Sequence, residues 1–262
     1  MSSNEPDHDV YSPELLTMFQ AIWGDGFLAP GGPEAVDSII ADLDVVNKTI
    51  LDIGSALGGP SFHMAQKRGV GKVVGIDVQD QLVDQARAVA LEKGLSDRIK
   101  FMAVRPGPLP FADFEFDIVF SKDSIIHVAD KAGLVGEIWR VLKPGGKVAI
   151  GDWFGGAAPL SPEAEAWLEA TGLTLALKPI EEFATLFNDA GFAEVHAEDR
   201  NAWYVDLAKK DVEALQGDTG RRIAAKLGEE AAEDWLQRAT NRSIIAQQGH
   251  LRPGNVWASK PS

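Results

Sequence analysis

Cysteine does not occur in the chain. Disulfides, thiolate metal ligands and cysteine nucleophiles are thereby excluded, and the composition suits a reducing compartment, with the cytoplasm the expected location. Positive charge is scarce as well: 25 Lys and Arg stand against 39 Asp and Glu, a formal net charge of −14 over 262 residues. Nucleic acid is excluded as a partner on that ground, because its phosphates need a basic stripe. No apolar run reaches the roughly 18 residues of a membrane span, and Met1–Val10 is polar and acidic rather than signal-like. Internal repeats, low-complexity tracts and linkers are also missing, so the length is read as a single α/β domain with a helical addition.

What is present is organised around Leu51-Asp52-Ile53-Gly54-Ser55-Ala56-Leu57-Gly58-Gly59. An apolar, β-branched run from Thr49 ends there in an acid and a glycine-rich turn, as a buried strand of a parallel sheet does when it delivers backbone to a ligand at its carboxyl end. A P-loop requires Gly-Lys-Ser/Thr, but Pro60 and Ser61 follow Gly59. A dinucleotide fingerprint requires Gly where Ala56 stands, and Asp52 repels a pyrophosphate. The pattern favours a nucleoside ligand that carries an ammonium group and no phosphate. Asp77, closing Gly75-Ile76-Asp77, lies at the same sheet edge, where its carboxylate can accept both ribose hydroxyls; capping the next helix is its alternative role.

Around this centre the chain alternates. A helix with Tyr11, Leu15, Met18, Phe19 and Ile22 on one face is predicted within Val10–Trp23, after a disordered Met1–Asp9. A Gly- and Pro-rich loop, Gly24–Pro33, precedes a second helix with Val36, Ile39, Ile40 and Leu43 inward. Strands are predicted at Thr49–Ile53, Lys72–Ile76, Ile99–Val104, Asp117–Ser121 and Lys147–Gly151, with helices at Ser61–Lys67, Asp80–Lys93 and Lys131–Leu142 between them. This is the alternation of a doubly wound parallel sheet. Leu142-Lys143-Pro144-Gly145-Gly146 is expected to stop a helix and turn into the next strand. Helices at Ser161–Gly172 and Ile180–Ala190, a strand at Phe192–Ala197, helices within Val205–Gln248 and a final strand at Asn255–Lys260 complete the prediction. Residues 1–44 are thus an N-terminal helical cover, 45–155 a ligand-binding core, and 156–262 a helical insertion with the last strands.

Taken together, Leu51–Gly59, Gly75-Ile76-Asp77, Phe116-Asp117-Ile118-Val119 and Leu142–Gly151 resemble the class I S-adenosylmethionine-dependent methyltransferases over about residues 45–155. The resemblance implies a Rossmann-like, seven-stranded sheet with its last strand antiparallel, and S-adenosylmethionine as cofactor. It implies that Asp52, Gly54, Ser55, Gly58 and Gly59 surround the methionine part, that Asp77 and Val78 meet the ribose, that Val104 and Arg105 flank the adenine, and that Ser121 lines the cleft. More narrowly, Gly24–Gly32, the glycine loop and Ser121-Lys122-Asp123-Ser124-Ile125-Ile126-His127 resemble the phosphoethanolamine N-methyltransferases and the related sarcosine/dimethylglycine methyltransferases. That likeness implies a catalytic pair at Tyr11 and His127 and an amine-holding acid at Asp123.

Elementary chemistry agrees in part, since an amine must lose its proton before it can attack a methyl donor, and His127 can accept it while Tyr11 orients it; the alternatives are that Tyr11 anchors its helix, that His127 is a satisfied, partly buried histidine and that Asp123 caps Ser124–Val128. Trp153 and Phe154 are candidates to wall the acceptor by cation–π contact, the alternative being core packing. Asp123 and His127, four apart, form a weaker metal-site alternative with no third ligand, so no metal is expected. Two features depart from the family pattern. Arg105 stands where an acid usually meets adenine, and Ser161–Leu177 has no Arg, Lys or Tyr to hold a phosphate, leaving Arg242 as a lone cation suited to a carboxylate. The favoured reading is methyl transfer to a small amine; O-methylation, a degenerate cofactor-binding protein and an NAD-dependent enzyme are the alternatives.

Overall fold

Local chemistry sets where the first helices begin. In the computed structural model, which describes residues 11–156, 160–171 and 175–262, α1 spans Pro13–Trp23, and Ser12 caps it by accepting the Leu15 N–H at 3.2 Å. The disorder predicted for Met1–Asp9 lies outside the described residues. A loop leads to α2 (Gly32–Ile39), whose Val36 and Ile39 are buried.

Seven strands follow: β1 (Thr49–Ile53), β2 (Lys72–Asp77), β3 (Ile99–Ala103), β4 (Phe116–Lys122), β5 (Leu142–Gly155), β6 (Ala193–Asp199) and β7 (Leu251–Ser259). They form one sheet in the order β3-β2-β1-β4-β5-β7-β6, with β7 antiparallel to both neighbours and the other pairs parallel. The helices are α3 (Gly59–Lys67), α4 (Asp80–Glu92), α5 (Lys131–Val141), α6 (Pro162–Thr171), α7 (Ile180–Asp189), α8 (Asn201–Gln216), α9 (Asp218–Leu227) and α10 (Glu229–Gln248). The expected doubly wound sheet, antiparallel last strand and helical insertion before that strand are all present.

Alternation along the strands divides the core in two. Ile50, Val73, Ile118, Phe120 and Ala149 pack under α2, α3 and α4, while Leu51, Val119, Val148, Ile150 and Val256 pack under α5 and α7. Both faces are covered, so the strands read as unbroken apolar runs. A third cluster joins Met18 of α1 to Leu215, Ile223 and Ala239 of α8, α9 and α10, which places the insertion over the N-terminal helix.

Some boundaries differ from expectation for physical reasons. Lys-Pro-Gly-Gly does not precede a strand but is absorbed into one: Leu142 already pairs with Phe116, the register shifts, and Lys147 pairs with Ile118. Gly145 takes φ 76° there and its N–H donates to the Lys260 carbonyl at 3.0 Å. β5 also continues past Gly151 to Gly155, because β7 begins at Leu251 rather than Asn255 and pairs along it. The C-terminal helices begin at Asn201, four residues before Val205.

Gly58 shows how tightly this frame is built. It precedes α3 with φ 84°, and a Cβ there would lie 2.5 Å from Phe101 and 2.9 Å from Phe62, two rings already packed edge to face at 5.5 Å. Gly58→Ala is expected to lower stability by about 1–3 kcal/mol. Chemical denaturation measures this, and an unchanged midpoint would mean that the rings move aside freely.

Candidate active site

The turn after β1 is held from below. The Gly54 and Ser55 N–H groups donate to the Ile76 carbonyl at 2.8 and 2.9 Å, and Gly59 donates to the Gly26 carbonyl at 3.1 Å, docking the Gly24–Pro33 loop on the turn. Gly54 takes φ 75°, and a Cβ on it would collide with the Ser124 side chain. Asp77 completes the clamp. Its Oδ2 accepts the Ala56 N–H at 2.8 Å, its Oδ1 accepts the Gln79 N–H at 2.9 Å, and the Val78 N–H adds a further bond. Burial pushes the Asp77 carboxyl up, and these hydrogen bonds together with the nearby His127 imidazole pull against it.

Asp52 has a different place from the one expected. It is 1 % exposed beneath the turn and accepts the Ser61 Oγ–H at 2.6 Å, so it ties β1 to α3 rather than reaching outward. Burial pushes its carboxyl up to about 7, with Asp77 adding to the rise against the Ser61 hydrogen bond. Ser121 is likewise turned inward: β4 continues to Lys122, and the Ser121 hydroxyl donates to the Ile53 carbonyl at 2.8 Å instead of lining a cleft. Val104 donates its N–H to the Asp77 carbonyl at 2.9 Å and stays at the sheet edge. The Arg105 side chain runs out into solvent and pairs with Asp80 at 3.2 Å.

Tyr11, at the foot of α1, packs on Ala56 and Leu57. Burial, reinforced by the charge of Asp77, pushes its phenol up to about 12, so it is a hydrogen-bond donor throughout the neutral range. His127 ends a 3-10 turn, Ile125–His127, that follows β4. Asp77 thus interacts with both members of the predicted pair. Asp123 lies outside that turn at φ 54°, so it and His127 do not share an α-helical face, and no metal-holding group of three His or carboxylate side chains exists among the described residues.

Asp123 instead faces a second feature, a narrow cleft of about 30 Å³ walled by the loop before α2, α2 itself, the end of β4, parts of β5 and β7, and the start of α8. Asp123, Asp152, Trp153 and Tyr204 line it. Lys122 pairs with Asp123 and donates to the Pro30 carbonyl at 2.9 Å. Asp152 is 2 % exposed and accepts the Ile126 N–H at 2.9 Å; burial and then Asp123 push its carboxyl up to about 7, with Lys131 opposing.

Trp153, in the lining of the cleft, meets Tyr204 edge to face at 4.5 Å. Phe154, expected beside it, points to the opposite face and packs on Ile180 and Phe183 in the core, because consecutive strand residues alternate. Arg242 is held by Asp211 at 3.0 Å and lies over the Trp23 ring at 5.2 Å. Sequence reasoning did not place Asp152, Lys122 and Tyr204 in the lining of this cleft. Arg200-Asn201-Ala202-Trp203-Tyr204, an aromatic pair just beyond a strand end, was the signal available for the last of these.

This strand order, with its antiparallel seventh strand and glycine turn after β1, defines the class I methyltransferase fold. The chain belongs to the methyltransferase domain family, which matches residues 44–216. Phosphoethanolamine N-methyltransferase 3 of Arabidopsis thaliana is 30 % identical over 255 residues, covering 97 % of this chain and 51 % of the relative. The chain therefore spans about half the length of the curated relatives it matches most fully. Phosphoethanolamine N-methyltransferase 2 of Haemonchus contortus, solved with phosphomonomethylethanolamine and S-adenosylhomocysteine, superposes with a TM-score of 0.90 at 24 % identity, covering 98 % of this chain and 60 % of that one. A candidate sarcosine dimethylglycine methyltransferase from Galdieria sulphuraria gives a TM-score of 0.74 at 21 % identity over 87 % of this chain and 85 % of that one. No helix among the described residues is long and apolar enough to cross a membrane.

The buried acids make stability depend on pH. An unfolded carboxyl titrates near 4, whereas Asp52 and Asp152 titrate at about 7 in the fold. The folded state holds the extra protons, so their stabilising contribution is full below the unfolded value and lost as pH rises through the folded one. Denaturation of the ligand-free protein is expected to become easier from about pH 5 to about pH 8. Asp152→Asn, which keeps an oxygen for the Ile126 N–H, should make that slope shallower. A pH-independent midpoint would contradict the assignment.

Proposed function

We propose that the chain transfers a methyl group from S-adenosylmethionine to the amine nitrogen of a small molecule. The observation that carries this reading is the convergence of Tyr11, His127 and the glycine turn on the Asp77 carboxylate, next to a cleft lined by two further acids and aromatic rings. The phosphoethanolamine N-methyltransferases among its relatives support it.

The residues of the turn fit the cofactor. The Ser55 hydroxyl is buried without a partner among the described residues, which leaves it able to bond a bound ligand. Gly54, Ser55 and Gly58 would flank the amino-acid end, and Asp77 with Val78 the ribose. When bound, S-adenosylmethionine would supply an electrophilic methyl group on its sulfonium sulfur, which a nucleophile takes by in-line attack while the thioether leaves.

The chain's own residues do the rest. Asp123 and Asp152 draw a protonated amine into the cleft, and Trp153 offers its ring to the cation. His127 takes the proton that the amine must lose, an imidazole being suited to that exchange at neutral pH. Tyr11, kept protonated, donates a hydrogen bond that fixes the pair.

Asp77→Ala is expected to weaken cofactor binding by about 1–3 kcal/mol through lost hydrogen bonds, which calorimetry on the folded variant reads directly. His127→Ala should lower turnover by about 10²–10⁴ with cofactor affinity retained, and Tyr11→Phe should do the same to a smaller degree. Wild-type initial rates in both variants would make the pair structural and remove it from the mechanism.

A further inference from the structure

The candidate base His127 is exposed, while Ile125 and Ile126 before it are buried at 1 % and 4 %. An exposed ring gains little hold from packing, so its position follows the backbone of the turn that carries it. That turn is short. Its own hydrogen bonds run from the His127 N–H to the Ser124 carbonyl at 3.2 Å and from the Val128 N–H to the Ile125 carbonyl at 2.9 Å. A single 3-10 turn with two such bonds does not hold itself in water.

Other groups of the turn are held from outside. Asp152 accepts the Ile126 N–H at 2.9 Å, and the Ala176 N–H donates to the Ile126 carbonyl at 2.8 Å. Lys131 makes the widest span, because its Nζ donates to the Ile125 carbonyl at 2.6 Å and to the Val128 carbonyl at 2.9 Å, bracketing Ile126 and His127. The fold alone gives poor reasons for a lysine there. Lys131 is 5 % exposed and is the first residue of α5, where free backbone N–H groups already concentrate positive charge. Burial pulls its ammonium down from the ordinary lysine range, with Asp152 pulling it back. An apolar or acidic residue would suit the buried start of a helix better, whereas only a side chain with several donors on one atom can bridge the two carbonyls.

We propose that Lys131 is a positioning residue for His127: by bridging the Ile125 and Val128 carbonyls it fixes the turn that presents the imidazole to the acceptor amine. Lys131 is not among the residues lining the cleft, so it acts through the turn and not on the acceptor. The inference rests on the reading of His127 as the base.

The test is a double-mutant cycle on kcat, with S-adenosylmethionine and whichever of phosphoethanolamine and N-methylglycine the wild type methylates faster. Lys131→Met should lower kcat by about tenfold to a hundredfold, the scale of an ångström's misplacement, and leave S-adenosylhomocysteine affinity by calorimetry within about twofold. In the His127→Ala background the same substitution should cost less than about twofold, because the group it positions is gone. Equal losses in both backgrounds would make Lys131 merely structural and overturn the proposal. As the protein has no cysteine, Lys131→Cys alkylated with 2-bromoethylamine in denaturant and refolded returns an ammonium at this one position. Its kcat should recover to within about threefold of a wild type taken through the same steps, which keeps the test decisive if Lys131→Met does not fold; a folded alkylated protein without recovery would overturn the proposal.

A second readout is independent of turnover. In the S-adenosylhomocysteine complex, the imidazole NMR signal of His127, assigned by its loss in His127→Ala, should move and broaden in Lys131→Met while the other histidine signals stay in place. If His127→Ala keeps wild-type rates, or neither amine is methylated, this signal decides. Its displacement would uphold the clamp without the base reading, and an unmoved signal would overturn the clamp.

Discussion

One carboxylate holds the candidate site together. Asp77 ends β2, yet its oxygens are occupied by backbone N–H groups from the turn after β1 and from its own following loop. The turn needs that anchor, because Ala56 at φ 45° holds a conformation that a residue with a Cβ seldom keeps. Tyr11, just ahead of α1, packs against the cluster that holds Leu57 of the same turn, and Asp77 interacts electrostatically with Tyr11 and with His127 beyond β4, so segments far apart in sequence meet around one side chain.

Buried acidity is the second constraint. Asp52, Asp77 and Asp152 all lie near the carboxyl edge of the sheet with their carboxyls pushed up, a placement that opposes charging them in the empty fold. A cation arriving from solvent relieves that opposition. Lys122 already plays this part for Asp123, so an incoming ammonium competes with an internal cation whose other bond, to the Pro30 carbonyl, belongs to the loop ahead of α2. On the proposed reading, acceptor entry and the position of that loop would be coupled through one lysine.

The strand and glycine turn were legible because their signals are local. An apolar run, an acid and closely spaced glycines specify strand, turn and ligand edge within about ten residues. The acceptor half depends on contacts over long separations, such as Trp23 with Asp211, and no spacing rule reaches that far. Phe154 illustrates a different failure. With the strand predicted to stop at Gly151, Trp153 and Phe154 read as two loop aromatics free to face one ligand; once β5 is known to reach Gly155, its pleat sends them to opposite faces. Ser121 was misplaced for the same reason, by a strand end set one residue too early.

The position of β7 bears on how the chain is made. This strand threads between β5 and β6, but about a hundred residues separate the end of β5 from its start, and most of them fold into helices. During synthesis from the amino end, the long β5 edge stands open while α6 through α10 emerge, and the sheet closes only when residues 251–259 arrive. An unpaired edge of that length invites pairing with another chain. The Lys-Pro-Gly-Gly bulge at its start, which kinks the edge and withholds one N–H, guards the nascent strand as well as shaping the finished one.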